Sequence, residues 1–153
     1  MGKALADSFP DAASAYDEAN EALGFDLRAL CWDGPASELE RTANAQPAIL
    51  ATSIAALRAA QAQGLIAHNP ILAGHSLGEF TALVAGGAIA FADALRLVRK
   101  RGELMQAADA SGGMAAVLGL DADVVAKAIE GTGIVVANDN APGQVVVLSL
   151  IHI

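Results

Sequence analysis

The segment Gly74-His75-Ser76-Leu77-Gly78 constrains the fold of this chain more than any other stretch. It has the pattern G-x-S-x-G, with a short apolar run at 70–74 before it and an apolar helical stretch at 77–88 after it. A sharp turn from a strand into a helix needs flanking glycines, because the backbone approaches itself too closely for Cβ atoms. The pattern therefore predicts an α/β arrangement with the Ser76 hydroxyl exposed at the carboxyl end of a buried strand.

The two neighbours of Ser76 have different predicted roles. The backbone N–H of Leu77 lies at a helix N-terminus, where it can donate a hydrogen bond to an oxyanion that forms beside Ser76. His75 is adjacent to the serine, and adjacent side chains on such a turn diverge. We therefore expect His75 to support the site rather than to act as the base of Ser76. The bare pattern also occurs by chance, so the strand–turn–helix context is what favours a nucleophile.

Charge and cysteine content exclude several classes of function. The net charge is −8, which leaves no basic surplus for nucleic acid. A single cysteine, Cys31, and histidines without ligand spacing predict neither a metal site nor a cofactor. The most apolar uncharged stretch, 80–92, is shorter than the ~18–20 residues of a membrane-spanning helix. Since no signal-peptide core is present either, we expect a cytoplasmic protein without membrane contacts.

Hydrophobic periodicity predicts alternating helices and short strands. The helices begin and end near Ser8–Gly24, Asp26–Cys31, Gly34–Arg41, Asn44–Gly64, Leu77–Ala88, Ala92–Ala108 and Ala122–Glu130. The strands are Pro70–Gly74, Met114–Leu118, Ile134–Ala137 and Gln144–Leu148. The helix that ends before Gly64 has a predicted core face formed by Ile49, Leu50, Ile54, Leu57 and Ala60.

The helix at 92–108 carries an arginine on its apolar side. Its predicted core stripe consists of Ala94, Leu97, Val98, Leu104 and Met105, and Arg101 falls inside that stripe. A guanidinium that faces protein keeps its charge, so it requires an acid, carbonyl groups or an anionic ligand. Snorkelling and an internal salt bridge are the alternatives. Arg96, Arg99 and Lys100 are predicted to form the opposite, solvated face, together with Glu103.

Several motifs, taken in order, resemble the malonyl-CoA:acyl-carrier-protein transacylases of bacterial fatty acid synthesis. They are Gly34-Pro35 with Glu38-Leu39, Gln46-Pro47-Ala48, Gly74 to Phe80, Arg101-Gly102 with Met105-Gln106, Gly113 to Ala116, and Asn140 to Val146. Their order and spacing make this resemblance far more specific than G-x-S-x-G alone.

The resemblance implies a role for each matching residue. Ser76 would carry the malonyl group as an ester, Leu77 N–H would be one oxyanion donor, and Arg101 would pair with the malonyl carboxylate. Gln46, His75, Met105 and Asn140 would line or support the substrate pocket. The implied reaction is ping-pong: Ser76 attacks malonyl-CoA, and the phosphopantetheine thiol of acyl carrier protein then attacks the ester. Malonyl-CoA and acyl carrier protein are therefore the implied partners.

The resemblance also implies a two-part fold. Residues 1–111 would be part of an α/β-hydrolase-like large subdomain with a parallel sheet, and residues 112–147 the first part of a small ferredoxin-like α+β subdomain. Residues 148–153 would be a tail unlike the family. The family's first strand, its second oxyanion donor and its catalytic histidine have no counterpart here. These departures predict a chain that is a weak or inactive fragment.

Three alternatives stay open at this point. An acyltransferase domain from a polyketide synthase would carry the same motifs. An α/β-hydrolase esterase would share the serine turn, but needs Asp and then His downstream in triad context. A non-catalytic module could bind an acidic carrier protein through Arg96, Arg99 and Lys100.

Overall fold

The computed structural model describes residues 1–108 and 112–149, which belong to two compact units. The first unit is Met1–Gln106 and the second is Ala107–Ile153. The subdomain boundary expected at residue 111 and the last four tail residues, 150–153, lie outside the described residues.

The described part of the first unit is helical. Its helices are α1 (Lys3–Ser8), α2 (Pro10–Leu23), α3 (Leu27–Asp33), α4 (Ala36–Glu40), α5 (Thr42–Ala62), α6 (Leu77–Ala85) and α7 (Phe91–Ala107).

The start of α2 differs from its prediction. Ser8 does not cap this helix, because it ends α1 and its hydroxyl donates a hydrogen bond back to Ala4 O at 2.8 Å. Phe9 takes the N-cap position of α2, and Pro10 occupies the first turn, where a missing N–H costs nothing. Gly24 ends the helix as predicted, with φ 73°.

Small side chains bring α2 and α5 together in the core of this unit. Ala15 and Ala19 of α2 are fully buried, as are Ala51 and Ala55 of α5. The larger core side chains Tyr16, Leu27, Leu50, Leu95 and Val98 fill the space around them. The predicted core face of α5 is correct for Leu50 and Ile54. It is wrong for Ile49, which is 44% exposed because alanines occupy the buried face.

The strand predicted at 70–74 does not form. These residues lie outside any helix or strand, and Ile71 and Leu72 are 99% and 41% exposed. A strand exists only through hydrogen bonds to a neighbouring strand. The described residues of the first unit include no strand that could pair with this segment.

The second unit contains a small antiparallel sheet. The unit consists of β1 (Gly113–Leu118), α8 (Ala122–Ala128), β2 (Val135–Ala141) and β3 (Gln144–Ser149), and its three strands form the sheet. The sheet order is β1-β3-β2, with Leu148 of β3 opposite Met114 on one side and Val135 on the other. Val125, Val145 and Val147 form its core. Every element predicted here is present, although β2 continues to Ala141, past the predicted end at Ala137. The chain is therefore of the α/β class.

Candidate active site

Ser76 lies on a strained turn at the start of α6. Its backbone has φ 55° and ψ −109°, and only two non-glycine residues of the described chain have positive φ. Such backbone conformations are unfavourable for a residue with a side chain, and they cluster at functional sites. Gly78 N donates to His75 O at 2.9 Å and closes the turn. The serine side chain is left exposed, as the motif predicts.

The first glycine of the motif is required by backbone contact. A Cβ atom on Gly74 would lie 2.0 Å from both C and O of Gly78, which no relaxation of a side chain could relieve. A Cβ atom on Gly78 would meet no atom within 4 Å. The close approach that the sequence predicts therefore occurs at Gly74, and this contact sets the path of the backbone around Ser76.

Arg101 of α7 contacts the serine directly. Its Nη2 donates to Ser76 Oγ at 2.9 Å, and its Nη1 donates to Gln46 Oε1 at 2.6 Å. None of the ion pairs between described residues includes Arg101. Of the options that the sequence left open, an internal salt bridge is therefore wrong for the described residues. The guanidinium presents an unneutralised charge next to the hydroxyl of Ser76.

Gln46 is the residue that orients Arg101. It is 5% exposed on α5, and its Nε2 donates to Thr42 Oγ1 at 3.0 Å and to Met105 Sδ at 3.3 Å. The amide thus has a fixed orientation, and its oxygen points to the guanidinium. The structure brings together Gln46, Ser76, Arg101 and Met105, all of which the sequence selected. Sequence reasoning missed Thr42, although its spacing of four residues from Gln46 on one helix was a usable signal.

An open apolar groove lies beside Arg101. It has a volume of about 570 Å³ and is lined by Phe80, Leu97, Lys100, Arg101, Leu104 and Met105. Leu97, Leu104 and Met105 are at least half exposed, so the predicted core stripe of α7 is wrong at these positions. The buried face is rotated, because Leu95 and Gly102 face the core together with Ala94 and Val98. The volume is in the range of small-molecule sites.

The remaining predicted site residues have less defined surroundings. Leu77 is half-buried as the first residue of α6, so its N–H has no intrahelical acceptor. His75 is exposed on the turn. Asn140 belongs to the second unit, where it lines a depression of about 510 Å³ with Asp121, Asp139 and Pro142. The described residues contain no cluster of three or more His, Cys, Asp or Glu side chains that could hold a metal ion.

Of the three cations predicted on a solvated face, only Arg99 contacts a neighbouring helix among the described residues. Arg96 and Lys100 have side chains that are 58% and 67% exposed, with ion pairs to Asp93 and Glu103. Arg99 is only 31% exposed and contacts α5 through Ala43 O and Asn44 Oδ1. The prediction of a solvated Arg99 is therefore wrong, because the start of α5 packs against this side of α7.

A strained turn in an α/β chain thus holds an exposed serine against an arginine that has no carboxylate partner among the described residues. Residues 1–149 match the acyl transferase domain, and the chain belongs to that family.

Named relatives place the chain within the family. It is 48% identical over 149 residues to the malonyl CoA-acyl carrier protein transacylase of Escherichia coli K12, covering 94% of this chain and 48% of that protein. It superposes on an acyl carrier protein S-malonyltransferase from Vibrio cholerae with TM-score 0.89 and 43% identity, over 95% of this chain and 49% of that one.

A third relative was solved as a complex. It is a malonyl-transacylase bound to its type II PKS acyl-carrier protein, with TM-score 0.88 and 42% identity over 97% of this chain and 50% of that one. The chain thus spans about half the length of the relatives that it matches. None of the described helices combines the length and hydropathy that a membrane crossing requires.

Proposed function

We propose that this chain carries the nucleophile and the carboxylate-binding residue of a malonyl transferase. The observation that carries the proposal is the hydrogen bond of 2.9 Å from Arg101 Nη2 to Ser76 Oγ. An arginine at this distance from the reacting oxygen can form a two-point contact with the free carboxylate of a malonyl group while its other end is esterified to Ser76. The relatives, a malonyl CoA-acyl carrier protein transacylase, an acyl carrier protein S-malonyltransferase and a malonyl-transacylase, support the same assignment.

The proposed reaction transfers one malonyl group in two steps, through an ester on Ser76. Ser76 Oγ attacks the thioester carbonyl of malonyl-CoA, the new C–O bond forms, the C–S bond breaks, and the serine proton leaves with the CoA thiol. The phosphopantetheine thiol of acyl carrier protein then attacks the ester carbonyl, the new C–S bond forms, the C–O bond to Ser76 breaks, and the thiol proton returns to Ser76 Oγ. In both steps the N–H of Leu77 would donate to the oxyanion of the tetrahedral intermediate. The reaction requires no cofactor.

Arg101 would make this site selective for malonyl over acetyl groups. No described carboxylate pairs with its guanidinium, so the charge is neutralised only when the substrate brings one. An acetyl group would leave the cation unpaired, and sites of this kind reject analogues that lack the polar partner. The apolar groove beside Arg101 would hold the uncharged part of the substrate.

The proposal extends to the fold. The apolar segment 70–74 precedes the serine turn directly, and its exposed Ile71 and Leu72 suit a strand of an α/β-hydrolase-like parallel sheet. The order β1-α8-β2-β3, with β3 between β1 and β2, suits the first part of a ferredoxin-like subdomain. The cytoplasmic location stays a prediction.

Acylation of the purified chain tests the proposed function. After incubation with malonyl-CoA, we expect intact-mass and peptide measurements to find one malonyl group on Ser76. Addition of holo acyl carrier protein, of fatty acid or polyketide type, should remove it and yield malonyl carrier protein. Ser76→Ala should abolish the adduct, whereas Ser53→Ala, which removes another hydroxyl of the same unit, should retain it.

The other outcomes identify the alternatives. Rapid release of free malonate without an adduct would indicate an esterase. Carrier binding that survives Ser76→Ala and is lost on charge reversal of Arg96 and Lys100 would indicate a binding module. Absence of the adduct from the unmodified chain would agree with the inactive fragment that the sequence predicts and would refute acylation by this chain. Equal malonate affinity in Arg101→Met and the unmodified chain would refute the carboxylate-binding role of Arg101.

A further inference from the structure

Two arginines of α7 donate hydrogen bonds to the N-terminal part of α5. Arg101 donates to Gln46 Oε1, as described above. Arg99 donates through Nη1 to Ala43 O at 3.1 Å and also to Asn44 Oδ1. The Arg99 guanidinium stacks over the ring of Phe25 at 5.2 Å, and its Nε donates to Glu103 Oε1 at 3.0 Å. These contacts leave the Arg99 side chain with a fixed orientation.

Pro47 explains why the carbonyl of Ala43 is available to Arg99. In an uninterrupted helix the N–H of residue 47 would donate to the carbonyl of residue 43. Proline has no N–H, so Pro47 inside α5 leaves that carbonyl without its helical donor. Arg99 supplies the donor from the neighbouring helix, and a buried carbonyl that would otherwise be unsatisfied is paired.

The same turn of α5 is held by a close backbone contact. A Cβ atom on Gly102 would lie 2.6 Å from Thr42 O and 2.7 Å from Ala43 Cα, so α7 and α5 touch directly here. Thr42, in turn, accepts a hydrogen bond from the amide of Gln46. The position of residues 42–44 against α7 therefore sets the position of the Gln46 amide oxygen, and that oxygen orients Arg101.

We infer that Arg99 is a positioning residue for carboxylate recognition, which rests on the proposed function of Arg101. Arg99 fixes residues 43 and 44 against α7, this contact places the oxygen of Gln46, and Gln46 holds the Arg101 guanidinium toward Ser76. Arg99 does not contact the substrate. It acts on the geometry of the site, where a displacement of about 1 Å can cost about 10²-fold.

The test uses amide and guanidinium NMR signals of the ¹⁵N-labelled chain, with malonate as the probe. Arg99→Met should shift the Gln46 side-chain amide and the Arg101 Nε–H signals before any ligand is added, and should weaken malonate binding about tenfold or more. Arg99→Lys should retain part of the affinity, because an ammonium can reach one acceptor but not hold both. Acetate, which has one carboxylate where malonate has two, gives the reference affinity.

Arg96→Met is the matched control. It removes the same charge from the same helix, but Arg96 is exposed and paired only with Asp93 among the described residues. We expect it to leave the Gln46 and Arg101 signals and the malonate affinity unchanged. Pro47→Ala is a second variant, because its new N–H would compete with Arg99 for Ala43 O and should shift the Arg99 Nε–H signal.

The outcomes separate the inference from the proposed function. If Arg99→Met and Arg99→Lys lower Tm but leave the Gln46 and Arg101 signals and the malonate affinity unchanged, Arg99 is only structural and the inference is wrong. An equal loss of affinity in Arg96→Met would also overturn it, since net charge would then be the cause. If those signals shift in Arg99→Met but malonate binds to no variant, the positioning role holds and the proposed function fails.

Discussion

The guanidinium of Arg101 donates a hydrogen bond of 2.9 Å to the hydroxyl oxygen of Ser76, between residues 25 positions apart in the chain. This contact joins the serine turn at the start of α6 to the middle of α7. It places a positive charge at the oxygen that would carry the acyl group. Under the proposed function, Arg101 meets the carboxylate of the substrate beside the apolar groove that it lines.

Replacement of Arg101 should change the choice of acyl group. In Arg101→Met we expect the rate of Ser76 acylation by malonyl-CoA to fall by about 10- to 100-fold, because a charge-assisted hydrogen bond contributes about 1.5–3 kcal/mol. Acylation by acetyl-CoA should change little. Mass measurement of the adduct over time gives both rates. Equal losses for the two thioesters would contradict a carboxylate-binding role.

Replacement of Gly74 should disrupt the serine turn. In Gly74→Ala the new Cβ would overlap the Gly78 backbone at 2.0 Å, so the backbone must move. We expect Ser76 acylation to fall by about 10²-fold and the free energy of unfolding by about 1–3 kcal/mol. Gly78→Ala, with no atom within 4 Å of the new Cβ, is the matched control and should do neither. Similar behaviour of the two variants would show that backbone contact is not the reason for Gly74.

Two neighbouring residues of α5 should differ in their effect on stability. Leu50 is fully buried, so Leu50→Ala should lower the free energy of unfolding by about 2–5 kcal/mol. Ile49 is 44% exposed, and Ile49→Ala should cost no more than about 1 kcal/mol. Urea unfolding followed by circular dichroism measures both. A loss in Ile49→Ala as large as that in Leu50→Ala would mean that Ile49 is part of the core face, as the sequence pattern predicts, and would contradict its exposure in the structure.

The N-cap of α3 should give a pH-dependent contribution to stability. Asp26 accepts a hydrogen bond from Ala29 N at 2.9 Å, and this bond, together with that from Asn20, lowers the pKa of its carboxyl group. A lowered pKa in the folded state means that the contribution is present above the unfolded value of about 4 and is lost as the pH falls through the folded value.

Thermal unfolding between pH 7 and pH 2 tests this contribution. Asp26→Ala should lower Tm at pH 7, and its difference from the unmodified chain should shrink as the pH falls below about 4. Glu21→Ala removes an exposed carboxylate of α2 and serves as the control, with little effect on Tm at either pH. A deficit in Asp26→Ala that stays constant with pH would rule out the carboxylate as its cause.

Local patterns predicted much of what is observed. The G-x-S-x-G turn depends on residues that are adjacent in the chain, so its strained serine and its close contact at Gly74 follow from the sequence alone. Gly24 ends α2, and Asp26 caps α3, for the same reason: each acts within one turn of its own helix. The three strands of the second unit are short apolar runs between turn residues, and all three are present.

Contacts between distant segments decided the rest. Periodicity gives α5 and α7 an apolar side, but the alanines of α2 and the backbone contact at Gly102 determine which side is buried. The segment 70–74 has the composition of a strand, yet a strand requires a hydrogen-bonding partner that no local pattern supplies. Helical position already distinguishes Arg101 from Arg99 in the sequence, but it does not give the partner of either side chain. The packing of α5 against α7 directs Arg99 to the carbonyl that Pro47 leaves without its helical donor, and the tertiary structure brings Arg101 to Ser76.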